Sequence, residues 1–160
     1  LERGDVEMKR EVVEMHDIIT QAVKNFALTV EQKNGTIIAG LTADRSSLRG
    51  DPVHLTNIVH NLIDNAVKYS PVLPAITVRS RNDGSFFVLF VEDNGIGIAA
   101  PDAEREIKKY FRVSTGNTHD VKGFGLGLSY VKLIVEAHGG AVALTSTKGK
   151  GTRVEVRLPL

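Results

Sequence analysis

Apolar residues recur at helical spacing from about Asp17 to Lys33, where Ile18, Ile19, Ala22, Val23, Phe26 and Val30 share one stripe. That spacing predicts a helix, and "NGT" at 34–36 ends it, with Asn34 or Gly35 able to take the left-handed cap conformation. Residues 10–15 read as a short strand before it. "TIIAGL" reads as a strand after it, and "RSSLRGD" as a second short strand or a loop. The next helix opens with Asp51 as N-cap and Pro52 at the first helical position, and its apolar stripe is Leu55, Ile58, Val59, Leu62, Ile63 and Ala66. "AITVRS" alternates as a half-buried strand does. "SFFVLFVED" is a continuous apolar run, expected of a central strand covered on both faces, and "NDGS" joins the two as a hairpin. An irregular span from Ala99 to Gly125 follows, with one short helix around Asp102 to Lys109. A helix from Leu126 to Ala137 is closed by Gly139-Gly140, and "AVALTST" and "TRVEVRL" form a last pair of strands across "KGKG". Strands mixed with helices and ending in hairpins favour a two-layer α/β (α+β) sandwich over a doubly wound parallel sheet.

Composition narrows the classes. A chain of 160 residues, 42% hydrophobic, suits one domain with a real core. The net charge is +1, with Lys and Arg scattered, so nothing argues for a nucleic-acid partner and any anionic ligand must be held locally. The absence of cysteine excludes a disulfide framework and a thiolate nucleophile. The five histidines show no metal-ligand spacing, and structural roles are expected for them. No apolar run reaches membrane-spanning length and no signal peptide is visible. The chain opens at "LERGDVEMKREVV" without an initiating Met, so a piece of a longer protein is expected.

Three segments could bear chemistry. Asn57, Asn61 and Asn65 lie one turn apart on the second helix, beside its apolar stripe, so they should border the core at the rim of a cavity. A carboxamide offers Mg²⁺ an oxygen without adding negative charge, which suits a metal already carrying phosphates. Taken alone, the same face could simply be polar and partly exposed. In "VEDNGIGI", Asp93 ends a buried strand and could accept from an exocyclic amine, while Gly95 and Gly97 would let a flat ring approach the main chain. An ordinary Asp-Asn-Gly turn explains those residues equally well. In "KGFGLGLSYVKLI", Gly123, Gly125 and Gly127 lead into a helix whose free N–H groups favour phosphate, although a lid hinge is the alternative. That run is not the dinucleotide fingerprint, because Leu128 stands where the third glycine belongs.

Together the three resemble the nucleotide-binding boxes of the sensor histidine kinases, over nearly the whole chain. The asparagine helix resembles their N box and "DNGIG" their first glycine box. "GFGLGLSYVKLIVEAHGG" resembles the second, and "TKGKGTRVEVRLP" the closing hairpin. The resemblance implies the Bergerat fold of the wider ATPase superfamily: a mixed, mainly antiparallel sheet covered on one face by about three helices, with a mobile ATP lid at about 110–125. It further implies ATP and Mg²⁺ as ligands. Asn65 would bind the metal, with Asn61 beside it. Lys68 would reach a phosphate, and Tyr69 would flank the adenine or ribose. Asp93 would take the adenine amino group, Gly97 would let the ring lie close, and Thr152 would stand near its edge. Gly123, Gly125, Leu126, Gly127 and Leu128 would wrap the triphosphate, and Gly95, Ile98, Tyr110, Lys122 and Phe124 complete the expected set.

One departure lies between the glycine boxes. Where the family writes a sequence close to F-E-R-F-Y-R, this chain has "IKKYFR". Lys109 and Arg112 are then the possible γ-phosphate contacts, Lys109 lacking the bidentate fork of the arginine it replaces. In the related ATPases a glutamate occupies the position of Asn61 as general base, and an amide cannot take that proton. The site should therefore hold MgATP without spending it on water, as a phosphoryl donor whose acceptor comes from elsewhere. No histidine here has the acceptor context, so residues 1–9 are expected to be the tail of a linker from a missing dimerisation domain, and 10–160 the catalytic domain. The resemblance implies a whole protein that is a dimeric, often membrane-anchored bacterial sensor with this domain in the cytoplasm, passing phosphate to a response regulator's receiver domain. This domain itself would touch no membrane. Two alternatives stay open: a serine kinase of the anti-sigma type, and a module that senses nucleotide without transferring phosphate.

Overall fold

The computed structural model describes residues 7–95, 124–147 and 149–160. The short helix expected near 102–109 lies outside the described residues, as do the lid residues up to 123.

The chain begins with β1 (Glu11–Glu14), which runs directly into α1 (Met15–Gln32). Glu14 is the N-cap and accepts from the His16 N–H at 3.1 Å. The Ser46 and Ser47 hydroxyls also donate to it and hold its carboxyl below the usual range, Ser46 most strongly, against a smaller opposing effect of burial. The helix thus starts two residues earlier than the apolar stripe suggests. It ends as expected, with Asn34 at φ 58° and the Gly35 N–H returning to the Val30 carbonyl at 3.0 Å.

The next elements are β2 (Thr36–Leu41), β3 (Ser47–Gly50) and α2 (Pro52–Lys68). Asp51 caps α2 by accepting from the N–H groups of Val53 and His54, and the six predicted stripe residues of this helix are all buried. β4 (Ala75–Asp83) and β5 (Phe86–Asp93) follow, with Gly84 at φ 59° supplying the positive-φ position of their two-residue loop. The chain closes with α3 (Phe124–Ala137), β6 (Ala141–Thr147) and β7 (Gly151–Pro159). α3 ends as α1 does, with Gly139 at φ 82° and the Gly140 N–H bonded to the Val135 carbonyl at 2.9 Å.

Five strands form one sheet in the order β2-β4-β5-β7-β6, and β1 pairs with β3 apart from it. Among the described residues only β2–β4 is parallel; the other pairings are antiparallel. The three described helices lie on one face, where Ile76, Val78, Phe87, Leu89, Val91, Val154, Val156 and Leu158 join Leu55, Ile58, Leu62, Val131 and Ile134 in a single core. This is the expected two-layer sandwich. The apolar run of β5 is indeed buried on both sides, but among the described residues its second cover is not a layer of structure. Arg153 and Arg81 stack on the Phe90 ring at 4.0 and 5.1 Å, and Arg157 on Phe86 at 5.0 Å, so arginine side chains shield that face.

Candidate functional site

The asparagine stripe sinks into the protein along its length. Four residues advance about 40° beyond a full turn, so Asn57 is exposed, Asn61 half-buried and Asn65 buried. Asn65 is the deepest of the three, and its Nδ2 makes no hydrogen bond. Gly127, in the first turn of α3, lies over it: a Cβ there would sit 3.3 Å from Nδ2 and 3.6 Å from Oδ1. A buried carboxamide whose Nδ2 finds no partner in the fold, under a glycine that keeps the space above it narrow, fits a ligand for a phosphate-bound cation through its oxygen. Among the described residues no group of three or more His, Asp or Glu side chains could hold a metal.

The far end of α2 meets the loop after β5. The Tyr69 N–H caps the helix on the Asn65 carbonyl at 3.0 Å. A Cβ on Gly95 would fall 1.9 Å from the Tyr69 carbonyl oxygen and 2.8 Å from the Ser70 hydroxyl, so only glycine lets this loop close on the helix. Asp93 pairs in register with Thr152 across β5 and β7. One of its oxygens, Oδ1, accepts from the N–H of Gly95 at 2.8 Å and of Thr152 at 3.3 Å. Burial pushes the Asp93 pKa up, opposed by those two bonds. The Thr152 hydroxyl is braced in turn by Ser146, 2.9 Å away, while Gly151, at φ 129°, lies so close to the Asp93 carbonyl that a Cβ would fall 2.0 Å from it.

Asn65, Tyr69, Gly95, Asp93, Thr152 and Gly127 are thereby linked around the end of α2. Leu128 is buried beneath them in the core. Lys68 is exposed and paired with Asp64 at 2.9 Å; such a surface pair is worth at most about 1 kcal/mol. Phe124, Gly125 and Leu126 form the start of α3. Gly97, Ile98, Lys109, Tyr110, Arg112, Lys122 and Gly123 lie outside the described residues. Sequence reasoning missed Ser70 and Ser146. The inward phase of Ser146 in the alternating "AVALTST" was the available signal; Ser70 gave none.

The sequence profile of the histidine kinase-, DNA gyrase B- and HSP90-like ATPases matches residues 50–160, and the chain belongs to that family. It is 39% identical over 161 residues to sensor protein RprX of Bacteroides fragilis, covering 99% of this chain and 31% of that protein. To sensor histidine kinase WalK of Bacillus subtilis it is 31% identical, over 97% of this chain and 26% of WalK. It thus spans about a third or less of these relatives. Among solved structures, the catalytic domain of histidine kinase ThkA superposes with a TM-score of 0.76 at 21% identity, covering 95% of this chain and 96% of that one. The mycobacterial sensor histidine kinase MprB gives 0.73 at 27% identity, over 94% and 97%. Full-length ShkA, solved in complex with AMPPNP, gives 0.79 at 24% identity, over 96% of this chain and 32% of ShkA. The chain is a histidine kinase-type ATPase domain of the kind found in sensor kinases.

Proposed function

We propose that this domain binds MgATP around the end of α2 and donates the γ-phosphoryl group to a histidine on a separate dimerisation domain. The observation that carries this reading is the closure of two glycines on one helix end: Gly127 over Asn65 from one side, Gly95 against Tyr69 from the other, with Asp93 braced between β5 and β7. Asp93 keeps its Oδ2 for the adenine amino group, Thr152 stands at the ring's edge, and Lys68 and the α3 start take the phosphates. Asn65, with Asn61 beside it, holds the cation, which when bound neutralises phosphate charge. In the transfer, an imidazole nitrogen lone pair forms the N–P bond as the bond to the β,γ-bridging oxygen breaks, and ADP leaves with that electron pair.

Asn61 cannot act as a base toward water, so turnover waits for the acceptor. Residues 1–9 are read as the end of a linker from the acceptor domain, 10–160 as the catalytic domain and about 110–125 as its lid. The whole protein is read as a dimeric sensor that serves a response regulator's receiver domain, with this domain in the cytoplasm and the sensor anchored in a bacterial inner membrane. Among the described residues no helix is long and apolar enough to cross a membrane.

Titration calorimetry with ATP, with and without Mg²⁺, tests the binding step. Adding the matching dimerisation domain in trans should yield acid-labile phosphohistidine. Acid-stable phosphoserine on a partner would favour the anti-sigma alternative, and rapid metal-dependent hydrolysis by the domain alone would overturn the reading.

A further inference from the structure

His138, one residue past the end of α3, is buried against the start of α2. Its Nδ1–H donates to the Ile134 carbonyl at 2.8 Å, and its bare Nε2 accepts the Asp51 N–H at 3.1 Å. Those partners fix one neutral tautomer. The ring lies flush on the backbone: a Cβ on Gly50 would fall 2.7 Å from Nε2. Asp51 also ties in the leading segment, accepting the Lys9 N–H at 2.9 Å, while Arg10 donates to the Ala137 carbonyl at 3.0 Å. α2 and α3 therefore run antiparallel, pinned by His138 and Asp51 at one end and meeting through Gly127 and Asn65 at the other.

We propose that His138 is a positioning residue for nucleotide binding, its neutral imidazole locking the α2–α3 pair so that Gly127 stays seated over Asn65. The inference rests on the MgATP reading above. The ionisable groups around the ring are Arg10 of the leading segment, Arg49 of β3, and Asp51 and His54 of α2. Burial, the largest influence, holds the imidazole's pKa below its ordinary value. The lock is thus complete above the ordinary histidine pKa and is lost as pH falls through the lowered one.

Two near-isosteres separate the ring's nitrogens. His138→Gln keeps an acceptor near the Nε2 position, and His138→Asn keeps only a donor near Nδ1. At about pH 7.5 the Gln variant should bind MgATP within about twofold of the unmodified chain, and the Asn variant about five- to tenfold more weakly, the effect of one net hydrogen bond. As pH falls from about 7.5 through the lowered His138 pKa, the unmodified chain should lose more affinity than the Gln variant, the nucleotide's own titration being common to both. Imidazole nitrogen NMR on the unmodified chain should show His138 protonating over the range where this excess loss occurs, a readout that does not depend on either variant folding. Equal binding by the Asn variant and the unmodified chain would overturn the proposal alone, as would excess affinity loss with His138 still neutral. No ATP binding by the unmodified chain would overturn the functional reading first.

Discussion

Gly127 and Asn65 face each other across the α2–α3 interface, with room above the amide for a hydrogen atom but not for a methyl group at ease: a Cβ would stand 3.3 Å from Nδ2. That distance is just tight enough to displace the carboxamide without breaking the helix pair. Gly127→Ala should therefore separate binding from folding. Helix propensity gains up to about 1 kcal/mol, so the melting temperature should hold or rise. The rotated Asn65 should weaken MgATP binding roughly tenfold, an estimate from the worth of a ligand-directed polar contact, as read by calorimetry.

Asp93 should show the balance of a buried acid, opposite to that of a carboxylate held ionised by its partners. Because burial raises its pKa, its ionised form is disfavoured in the folded state. Stability contributed by its protonated form is present at low pH and declines as pH rises from the ordinary aspartate value through the raised one. Asp93→Asn removes that charge and keeps an acceptor for Gly95 and Thr152. The variant should melt at or above the unmodified temperature while losing ATP affinity by about two orders of magnitude, since its NH₂ would face the adenine amino group. Undiminished ATP binding would refute the adenine assignment.

Asp51 predicts acid sensitivity at the other end of α2. The Lys9 N–H, followed by the bonds from His54 and Val53, holds its pKa below the ordinary value against burial. The stability it contributes is full above the ordinary aspartate pKa and fades as pH falls through the lowered one. Asp51→Ala should cost about 1–2 kcal/mol at neutral pH, the usual worth of a lost N-cap. In urea unfolding the gap from the unmodified chain should narrow as acid protonates Asp51 in the latter.

Two glycine substitutions should differ sharply. Gly84→Ala meets nothing within 4 Å and suffers only its φ of 59°, which costs about 1 kcal/mol. Gly95→Ala collides with the Tyr69 carbonyl 1.9 Å away, so the loop must lift off α2. It should lower the melting temperature more than Gly84→Ala and also weaken nucleotide binding, which Gly84→Ala should leave unchanged.

The sequence made the fold legible because its signals are local. Asp51-Pro52 marks a helix start, Asn34 and Gly139 mark helix ends, and the β4 alternation declares its buried face. What it could not show is contact between distant segments. Nothing near Gly127 announces Asn65, 62 positions earlier, and nothing in "AVALTST" says that Ser146 will brace Thr152. The cover over Phe90 shows the same limit: a continuous apolar run predicts burial on two faces, as found, but not that arginines from β4 and β7 provide one of them. The α1 start was missed because the cap is Glu14, a residue whose capping role depends on the loop serines it meets.

Thr152 stands opposite Asp93 only once the final strand has docked beside the central one. Of the five strands described in this sheet, the ribosome makes that one last. Until then β5 has no neighbour on its β7 side, its side chains Phe87 to Val91 lack that half of their cover, and no threonine amide steadies Asp93. On the reading proposed above, nucleotide can thus reward the finished domain but cannot template the growing one, and a chain cut short before residue 151 would leave an apolar strand edge exposed in place of the proposed purine pocket.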